Sequence, residues 1–305
     1  MTSLAPVPFA RKDLIAAFAV ILIWAMNFVA LKMGLKSFTP LQLAAARFIL
    51  SAFPMVLLIR PPTVGFRWVM GYGLLQGAGQ FGLLILALKV GMTAALAPVV
   101  MQMQVFVTAL LGAILLGETL GRPLKIGLAC AALGLSCLAI NALAPDSSST
   151  VTLAGIVLTL LAASSWAGSN IVVRKLQARG APYKPLSLVV WGSVISALCL
   201  TALSLLVDAP ADRWRWTEAP WEVWLWVVYV SWIGNVVSFW LWTSLLGRYA
   251  ANRVAPFSFG VPVLGILAGT LILHETVTLW QWIGGALVML ALLVVVRGGM
   301  SARRQ

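Results

Sequence analysis

The sequence predicts an all-α membrane protein whose ten transmembrane helices form two inverted repeats of five helices each. Of the 305 residues, 61% are hydrophobic and only 10% are charged, and the mean hydropathy is +0.99. Soluble domains do not have this composition. Ten apolar runs are each about long enough to cross a bilayer at 1.5 Å per residue. Polar motifs of the first half also recur, in the same order, in the second half.

The apolar runs define ten predicted helices and leave no segment for a sizeable soluble domain. They lie at residues 14–31, 41–59, 68–88, 94–116, 124–144, 152–173, 186–207, 223–246, 254–273 and 279–296. The predicted organisation is a disordered start (1–10), a first repeat (11–144), a polar linker (145–151), a second repeat (152–297) and a cytoplasmic tail (298–305).

The first four predicted helices each have a local signal. The first ends near Lys32, and the second opens after Pro40. The third is rich in glycine, and its Gly73-x-x-x-Gly77 spacing permits close packing against another helix. The fourth contains Pro98, which deletes a backbone donor and kinks a helix. A helix that only spans the bilayer does not need this proline.

The remaining helices differ in their polar content. The fifth and tenth have almost no polar groups in mid-span, so we expect them at the periphery. The ninth carries a second small-residue pair, Gly265-x-x-x-Gly269. Before the eighth helix, the segment Asp208–Glu222 is rich in tryptophan and charge. We expect this segment to lie along the outer membrane interface, where indoles anchor.

The basic residues predict the orientation of the chain. If the N-terminus is placed inside, 15 of the 21 Lys and Arg residues fall on that side and 5 on the other. This bias predicts that both termini are cytoplasmic. The net charge of +13 does not indicate nucleic-acid binding, because the basic residues lie at helix ends and form no patch.

The inventory of reactive residues argues against an enzyme. The chain has one histidine, three cysteines within apolar runs, and no phosphate-cradling glycine motif. We therefore expect no catalytic residues, no disulfide, no metal and no cofactor. The cysteines are predicted to be packing residues.

Three motifs repeat between the halves. Trp24-x-x-Asn27 matches Trp166-x-x-x-Asn170, and Pro98 with its two preceding residues matches the Val254-Ala255-Pro256 stretch. Glu118-Thr119 matches Glu275-Thr276, each followed by a glycine at the same distance. Because five is an odd number of crossings, the second half would enter the membrane upside down. Such inverted repeats are typical of secondary transporters with a substrate site near the midplane, although apolar helices can also resemble one another by chance.

These and further motifs resemble the drug/metabolite transporter superfamily. Within it, the chain is most similar to the EamA family of amino-acid and metabolite exporters, and among these to exporters of O-acetylserine and cysteine. The resemblance covers roughly residues 11–297. Its Trp-Asn and Gly-Glu signals mark only the superfamily, whereas Gln102-x-Gln104 and the Leu-Leu-Gly-Arg-Tyr stretch at 245–249 are more specific. The motifs are Trp24-x-x-Asn27-Phe28-Val29-x-x-Lys32-x-Gly34-Leu35, Arg47-Phe48, Gln80-Phe81, Gln102-x-Gln104, Gly117-Glu118, and Leu245-Leu246-Gly247-Arg248-Tyr249-x-x-x-Arg253-Val254-Ala255-Pro256.

Polar and indole side chains deep in the predicted helices form the candidate substrate site. Amides would bind the ammonium and carboxylate of a zwitterion, and indoles would wall the pocket; intramembrane polar groups tend to mark transport pathways. The alternative is that these amides only join helices, each contributing about 0.6 kcal/mol. The candidates are Trp24, Asn27, Gln76, Gln80, Gln102, Gln104, Trp166, Asn170, Asn235, Ser238, Trp242 and Ser258.

Charged residues near the spans have separate interpretations. Arg47 lies about 10 Å inside the second helix. It either snorkels outward as a structural anchor, binds a helix end, or contacts a substrate carboxylate. Glu118 and Glu275 each precede a short connection to the next helix. A carboxylate there is expected to stabilise the N-terminus of that helix. No acidic residue lies in mid-span, so the cation-binding carboxylate of proton-coupled multidrug pumps is absent.

The sequence thus predicts a secondary exporter of small amino acids and related metabolites in the bacterial inner membrane. Its partners would be a small zwitterionic substrate and the lipid bilayer, without nucleic acid. An exporter of aromatic or other amino acids or of drugs is the first alternative. A selective channel fits less well, because channels need a continuous polar pore. An intramembrane enzyme or scaffold is the third. The sequence does not specify the oligomeric state.

Overall fold

A computed structural model of the protein describes residues 9–117, 120–143, 151–180, 184–249 and 254–301. In these ranges the chain is helical and contains no strand. Most of the predicted N-terminal start and linker lies outside the described residues, as do residues 302–305 of the predicted tail, Glu118, Thr119 and Arg253. Residues 298–301 of that tail continue the last helix.

The first half contains five helices, three of which consist of two or three consecutive segments. Helix α1 is Arg11–Gly34. Helix α2 comprises Pro40–Ala52 and Met55–Leu58, and α3 comprises Phe66–Tyr72, a π-helical segment Gly73–Gly79, and Gln80–Lys89. Helix α4 comprises Ala97–Met101 and Met103–Leu116, and α5 is Arg122–Leu143.

The second half follows the same order. Helices α6 and α7 are Leu153–Ala178 and Pro185–Val207. Helix α8 comprises Trp221–Val228, a π-helical segment Tyr229–Val237, and Ser238–Arg248. Helix α9 begins as the 3-10 turn Ala255–Phe259 and continues as Gly260–Ile272, and α10 is Leu279–Ser301.

Within the described residues, nine helices are long and apolar enough to cross a membrane. The sequence predicts ten. At the ninth position the described apolar helix, Phe257–Ile272, is shorter, and its first residues belong to the 3-10 turn Ala255–Phe259; residues 250–253 before it lie outside the described part of the chain. The protein is therefore an all-α membrane protein.

Local sequence signals explain where helices begin. Thr39 caps α2 in a reciprocal capping box with Gln42, and Pro40 occupies the first turn, where its missing N–H costs nothing. The hydroxyl of Thr152 accepts a hydrogen bond from the Gly155 N–H at the start of α6.

The helices pack in matched pairs. Helix α5 packs along α10, and α2 along α7. Helix α1 packs on α8 and α9, and α6 packs on α3 and α4. In the same way, α3 packs on α7, and α8 packs on α2. Helices α5 and α10 contact mainly each other, with Gly134 and Gly284 at their closest approach, where an added Cβ on either would lie 2.7 Å from the carbonyl oxygen of the other. Their peripheral position agrees with the prediction.

Helix α3 packs tightly against α7 through the two glycines that the sequence singles out. A Cβ on Gly73 would lie 2.5 Å from the Gly192 carbonyl oxygen, and a Cβ on Gly77 would overlap the Ser196 side chain. The predicted close packing through this pair is confirmed.

Candidate functional site

The two π-helical segments occupy the third helix of each half. They carry two of the predicted site residues, Gln76 in α3 and Asn235 in α8. Such segments are rare and occur often at functional sites. Sequence reasoning missed both, because it assumed α-helical spacing and no residue type in these stretches distinguishes a π from an α turn. In an α-helix, for example, Gln76 and Gln80 would share one face, because they are four residues apart.

Helix α4 is interrupted at Gln102, and Pro98 lies in the first turn of its Ala97–Met101 segment, where a missing N–H costs nothing. The two amides of this helix turn to different neighbours. Gln102 Nε2 lies 3.5 Å from the Ser258 carbonyl oxygen on α9, whereas Gln104 Oε1 accepts a hydrogen bond of 3.1 Å from Asn170 Nδ2 on α6.

Polar contacts also join α1 to α8. Trp24 Nε1 donates to Ser238 Oγ at 2.9 Å, and the rings of Trp24 and Trp242 lie 5.2 Å apart. Asn27 Nδ2 reaches the Gly234 carbonyl oxygen at 3.5 Å, while its Oδ1 is buried without a partner.

Corresponding contacts join α6 to α3 and α4. Ser169 Oγ lies 2.6 Å from Gln76 Oε1 and donates to it. Asn170 Nδ2 contacts Thr108 Oγ1 at 3.2 Å in addition to Gln104. Trp166 packs, half-buried, against the apolar core. Each of these candidates therefore contacts a neighbouring helix.

A small void lies between α2, α3, α7 and α8. Its volume is about 10 Å³, close to the room that one water molecule needs. Phe48, Phe81 and Ser196 contribute to its wall, and of the predicted site residues only Gln76 and Asn235 line it. The structure does not gather the other candidates around this void.

Arg47 does not snorkel, in contrast to one of its three sequence interpretations. The residue is 1% exposed, and its guanidinium carbon lies 3.8 Å from the Phe81 ring centroid and 5.8 Å from that of Phe48. Its Nε and Nη1 atoms are buried and have no hydrogen-bond partner. The same holds for Oε1 of Gln80, which is 4% exposed.

Helices α1 and α8 are also joined where α1 begins and α8 ends, which we call the proximal end. Asp13 is 3% exposed and accepts from Arg248 and, at 2.8 Å, from the Tyr249 hydroxyl. That hydroxyl accepts in turn from the Ala10 N–H at 3.1 Å. Sequence reasoning missed this cluster, although Arg248 and Tyr249 belong to a motif that it quoted.

The opposite, distal end carries other contacts between the halves. Glu275 accepts hydrogen bonds from the N–H groups of Ala94 (2.9 Å) and Ala95 (2.8 Å). Glu275 thus caps the turn that precedes α4. The expectation that it stabilises the N-terminus of the following helix, α10, is wrong. The physical reason is that α10 already has a capping box from Thr278 and Gln281.

A second distal contact joins the α1–α2 connection to the α7–α8 connection. Thr39 Oγ1 donates to Asp208 at 2.7 Å, and Gln42 Nε2 donates to the carbonyl oxygens of Asp212 (2.7 Å) and Arg213 (3.1 Å). Among the residues that the structure describes, no three His, Cys, Asp or Glu side chains form a potential metal site.

Comparisons with known proteins identify the kind of protein that has this architecture. The model of the EamA-like transporter family matches residues 11–140 and 153–297. The "Probable amino-acid metabolite efflux pump" of Escherichia coli (strain K12) is 36% identical over 289 residues, which are 94% of this chain and 96% of that protein. The protein of the same description from Salmonella typhimurium is 37% identical over 290 residues, with the same shares.

A solved crystal structure is similar over nearly the whole chain. It covers 97% of this chain and 100% of its own chain, with a TM-score of 0.58 and 22% identity. This likeness concerns the fold alone.

Proposed function

The chain belongs to the EamA-like transporter family, and from this premise we propose that it exports small amino acids and related metabolites similar to O-acetylserine and cysteine. The comparisons and the apolar helices support a multi-pass bacterial membrane exporter of a small molecule. The relatives' printed names support amino-acid metabolites as the substrate class.

The observation that carries the proposal is a set of buried polar atoms without partners. Arg47 offers two such nitrogen donors from α2, whereas Asn27 and Gln80 each offer an oxygen acceptor, from α1 and α3. Leaving a buried polar group unpaired costs about 1–3 kcal/mol. A zwitterion supplies what each atom lacks, because its carboxylate accepts from a guanidinium and its ammonium donates to amide oxygens. These three residues therefore form the proposed core of the substrate site.

The packing pattern supports two inverted five-helix repeats. If α1–α5 correspond to α6–α10, each helix contact has a counterpart between the corresponding helices. The contact of α1 with α9 corresponds to that of α6 with α4, and the contact of α3 with α7 corresponds to that of α8 with α2. The π segments and the interrupted starts of α4 and α9 also fall at equivalent positions. In this proposal the site lies at the interface of the repeats, as in other transporters built this way.

Contacts at the two ends of the helix bundle support the proposal of alternating access. Asp13 with Arg248 joins the halves at the proximal end, and Asp208 with Thr39 joins them at the distal end. The intervening void of about 10 Å³ is smaller than the ~300 Å³ of a small ligand site. Arg47, Asn27 and Gln80 do not line this void, so we propose that opening one end at a time extends it to these three residues and admits substrate from one side.

A transport assay decides between this function and its alternatives. Purified protein in liposomes loaded with amino acids, O-acetylserine or cysteine should show saturable counterflow of the zwitterions. Flux that does not saturate and shows no counterflow would favour a channel. Counterflow driven only by aromatic amino acids or drugs would favour the other substrate classes, and chemical turnover without flux would favour an enzyme.

The orientation is tested by labelling. The charge bias predicts that both termini are cytoplasmic and that the 208–222 segment is outside. An impermeant thiol reagent added to intact cells, in a background without the native cysteines, should label Ala211→Cys and leave Ser301→Cys unlabelled until the membrane is permeabilised. The reverse pattern would contradict the proposed topology.

A pair of amide variants separates substrate binding from helix association. If Gln104 contacts the substrate, Gln104→Leu removes a hydrogen bond to a charged group, worth about 1.5–3 kcal/mol. Affinity should then fall by roughly 10- to 150-fold. If Gln104 only joins helices, affinity should be unchanged, and the melting temperature should fall slightly, since Asn170 keeps its contact with Thr108.

Gln102→Leu is the matched control, because Gln102 contacts the α9 backbone and not α6. Substrate affinity and melting temperature should be measured in detergent for both variants. Retained affinity in Gln104→Leu removes this residue from the site.

A further inference from the structure

We propose that the protein binds one anionic phospholipid at its distal end, with the phosphate on Arg213 and an acyl chain in a groove between α2 and α7. The groove is separate from Arg47, Asn27 and Gln80, so the proposal does not depend on the transported substrate. The bound molecule is proposed to come from the surrounding bilayer.

The groove has the size and lining that an acyl chain requires. Its volume is about 430 Å³, within the range of small-molecule sites. Ala46, Ile49 and Leu50 of α2 face Leu205 of α7 across it. Ile49 and Leu205 are 46% and 48% exposed, which shows that the groove opens on the outer surface of the helix bundle. A membrane protein exposes such a surface to lipid chains.

Tryptophan side chains close the groove toward the distal end. Trp214, Trp216 and Trp224 belong to its lining, and the rings of Trp216 and Trp224 meet edge to face at 6.3 Å. Indoles favour the level of the lipid headgroups, where their apolar body and polar N–H are both accommodated. The indoles therefore mark the depth at which a bound headgroup would lie.

Arg213 lies at this level and lacks an acceptor. It lines the groove, and its Nε atom is buried without a hydrogen-bond partner. Gln42 holds the carbonyl oxygen of the same residue at 3.1 Å, so the backbone that presents the guanidinium is fixed. A phosphate group matches a guanidinium, because two of its oxygens can accept parallel hydrogen bonds.

The acidic side chains that are closest to Arg213 in sequence have other partners. Asp208 accepts from the hydroxyls of Thr39 and Ser204 at 2.7 and 2.6 Å. Asp212 pairs with Arg215 at 3.8 Å. Within the described part of the chain, Arg213 has no ion-pair partner, and its charge is available to an anion from outside the protein.

The test is lipid retention by the purified, delipidated protein. Wild type, Arg213→Gln, Arg215→Gln and Ala46→Leu are titrated with phosphatidylglycerol and, separately, with phosphatidylethanolamine. Native mass spectrometry then counts the bound lipids. Wild type should bind one phosphatidylglycerol more tightly than phosphatidylethanolamine. Arg213→Gln should bind it roughly 10-fold or more weakly, because a hydrogen bond to a charged group is lost.

Arg215→Gln is the matched control, because it removes the same charge from a residue that already contacts Asp212 and the Lys36 carbonyl oxygen. Its lipid affinity should stay within about 2-fold of wild type, a change worth less than ~0.5 kcal/mol. Ala46→Leu narrows the groove and should also weaken retention of the phospholipid. This variant provides the test if Arg213→Gln does not fold. Equal retention by wild type, Arg213→Gln and Ala46→Leu would overturn the proposal. So would equal affinity for the two lipids, or displacement of the lipid by free amino acids.

Discussion

Gly77→Leu is expected to abolish the accumulation of folded protein. A Cβ at this position would overlap the Ser196 side chain and would lie 3.2 Å from Phe48 Cζ, so a leucine side chain has no space between α3 and α7. Adding methylenes to a packed interior typically costs about 1–3 kcal/mol, and here a whole side chain is added where helices are closest. The measurement is the yield of monodisperse protein and its melting temperature in detergent.

Gly71→Leu is the matched control on the same helix. The nearest atom to its added Cβ is 4.0 Å away, so yield and stability should remain near wild type. A second control exchanges the two residues that meet. The double variant Gly77→Ser with Ser196→Gly should be much more stable than Gly77→Leu. Normal yield of Gly77→Leu would show that α3 and α7 do not meet as described.

Arg47→Leu is expected to remove substrate binding while preserving the fold. If the guanidinium holds the substrate carboxylate, truncating this buried charged contact costs about 2–5 kcal/mol, or roughly 30- to 3,000-fold in affinity. The unliganded protein should be as stable as wild type or more stable, because an apolar side chain replaces a buried charge whose Nε and Nη1 atoms have no partner. Counterflow and melting temperature measure the two effects.

The alternative for Arg47 is a structural anchor that stacks on Phe81. Under this alternative, Arg47→Leu lowers the melting temperature and leaves the affinity of the folded fraction unchanged. Phe81→Leu provides the comparison, because it removes the stacked ring and keeps the charge. If Phe81→Leu and Arg47→Leu both only destabilise the protein, Arg47 has no part in substrate recognition.

Hydropathy and small-residue spacing were sufficient to predict most of the fold. The apolar runs predicted an all-α membrane protein, and the Gly73 and Gly77 spacing predicted a tight helix contact, because both features are read directly from residue types. Pro98 instead lies in the first turn of α4, and the interruption at Gln102 does not follow from it. The ninth helix in chain order is described over a shorter apolar length than predicted, and the sequence does not reveal the 3-10 geometry of its first residues.

The site was harder to predict, because the partners of polar side chains depend on tertiary packing. Gln102 and Gln104 belong to one motif, yet they contact α9 and α6, respectively. The buried state of Asp13 depends on Arg248 and Tyr249, more than 230 residues away in the chain. The assignment of the thirteen candidates to one substrate site remains a prediction.

The cap that Glu275 provides for α4 has a consequence for biosynthesis. The carboxylate lies 180 and 181 residues after the two amides that it binds. At 5–20 residues per second, the ribosome makes it roughly 10–40 s after these two amides. During this interval α4 enters the membrane without its cap, and its exposed amides need water or other partners. Completion of the first half therefore waits for translation of the connection between α9 and α10, and a nascent chain released before residue 275 cannot complete it.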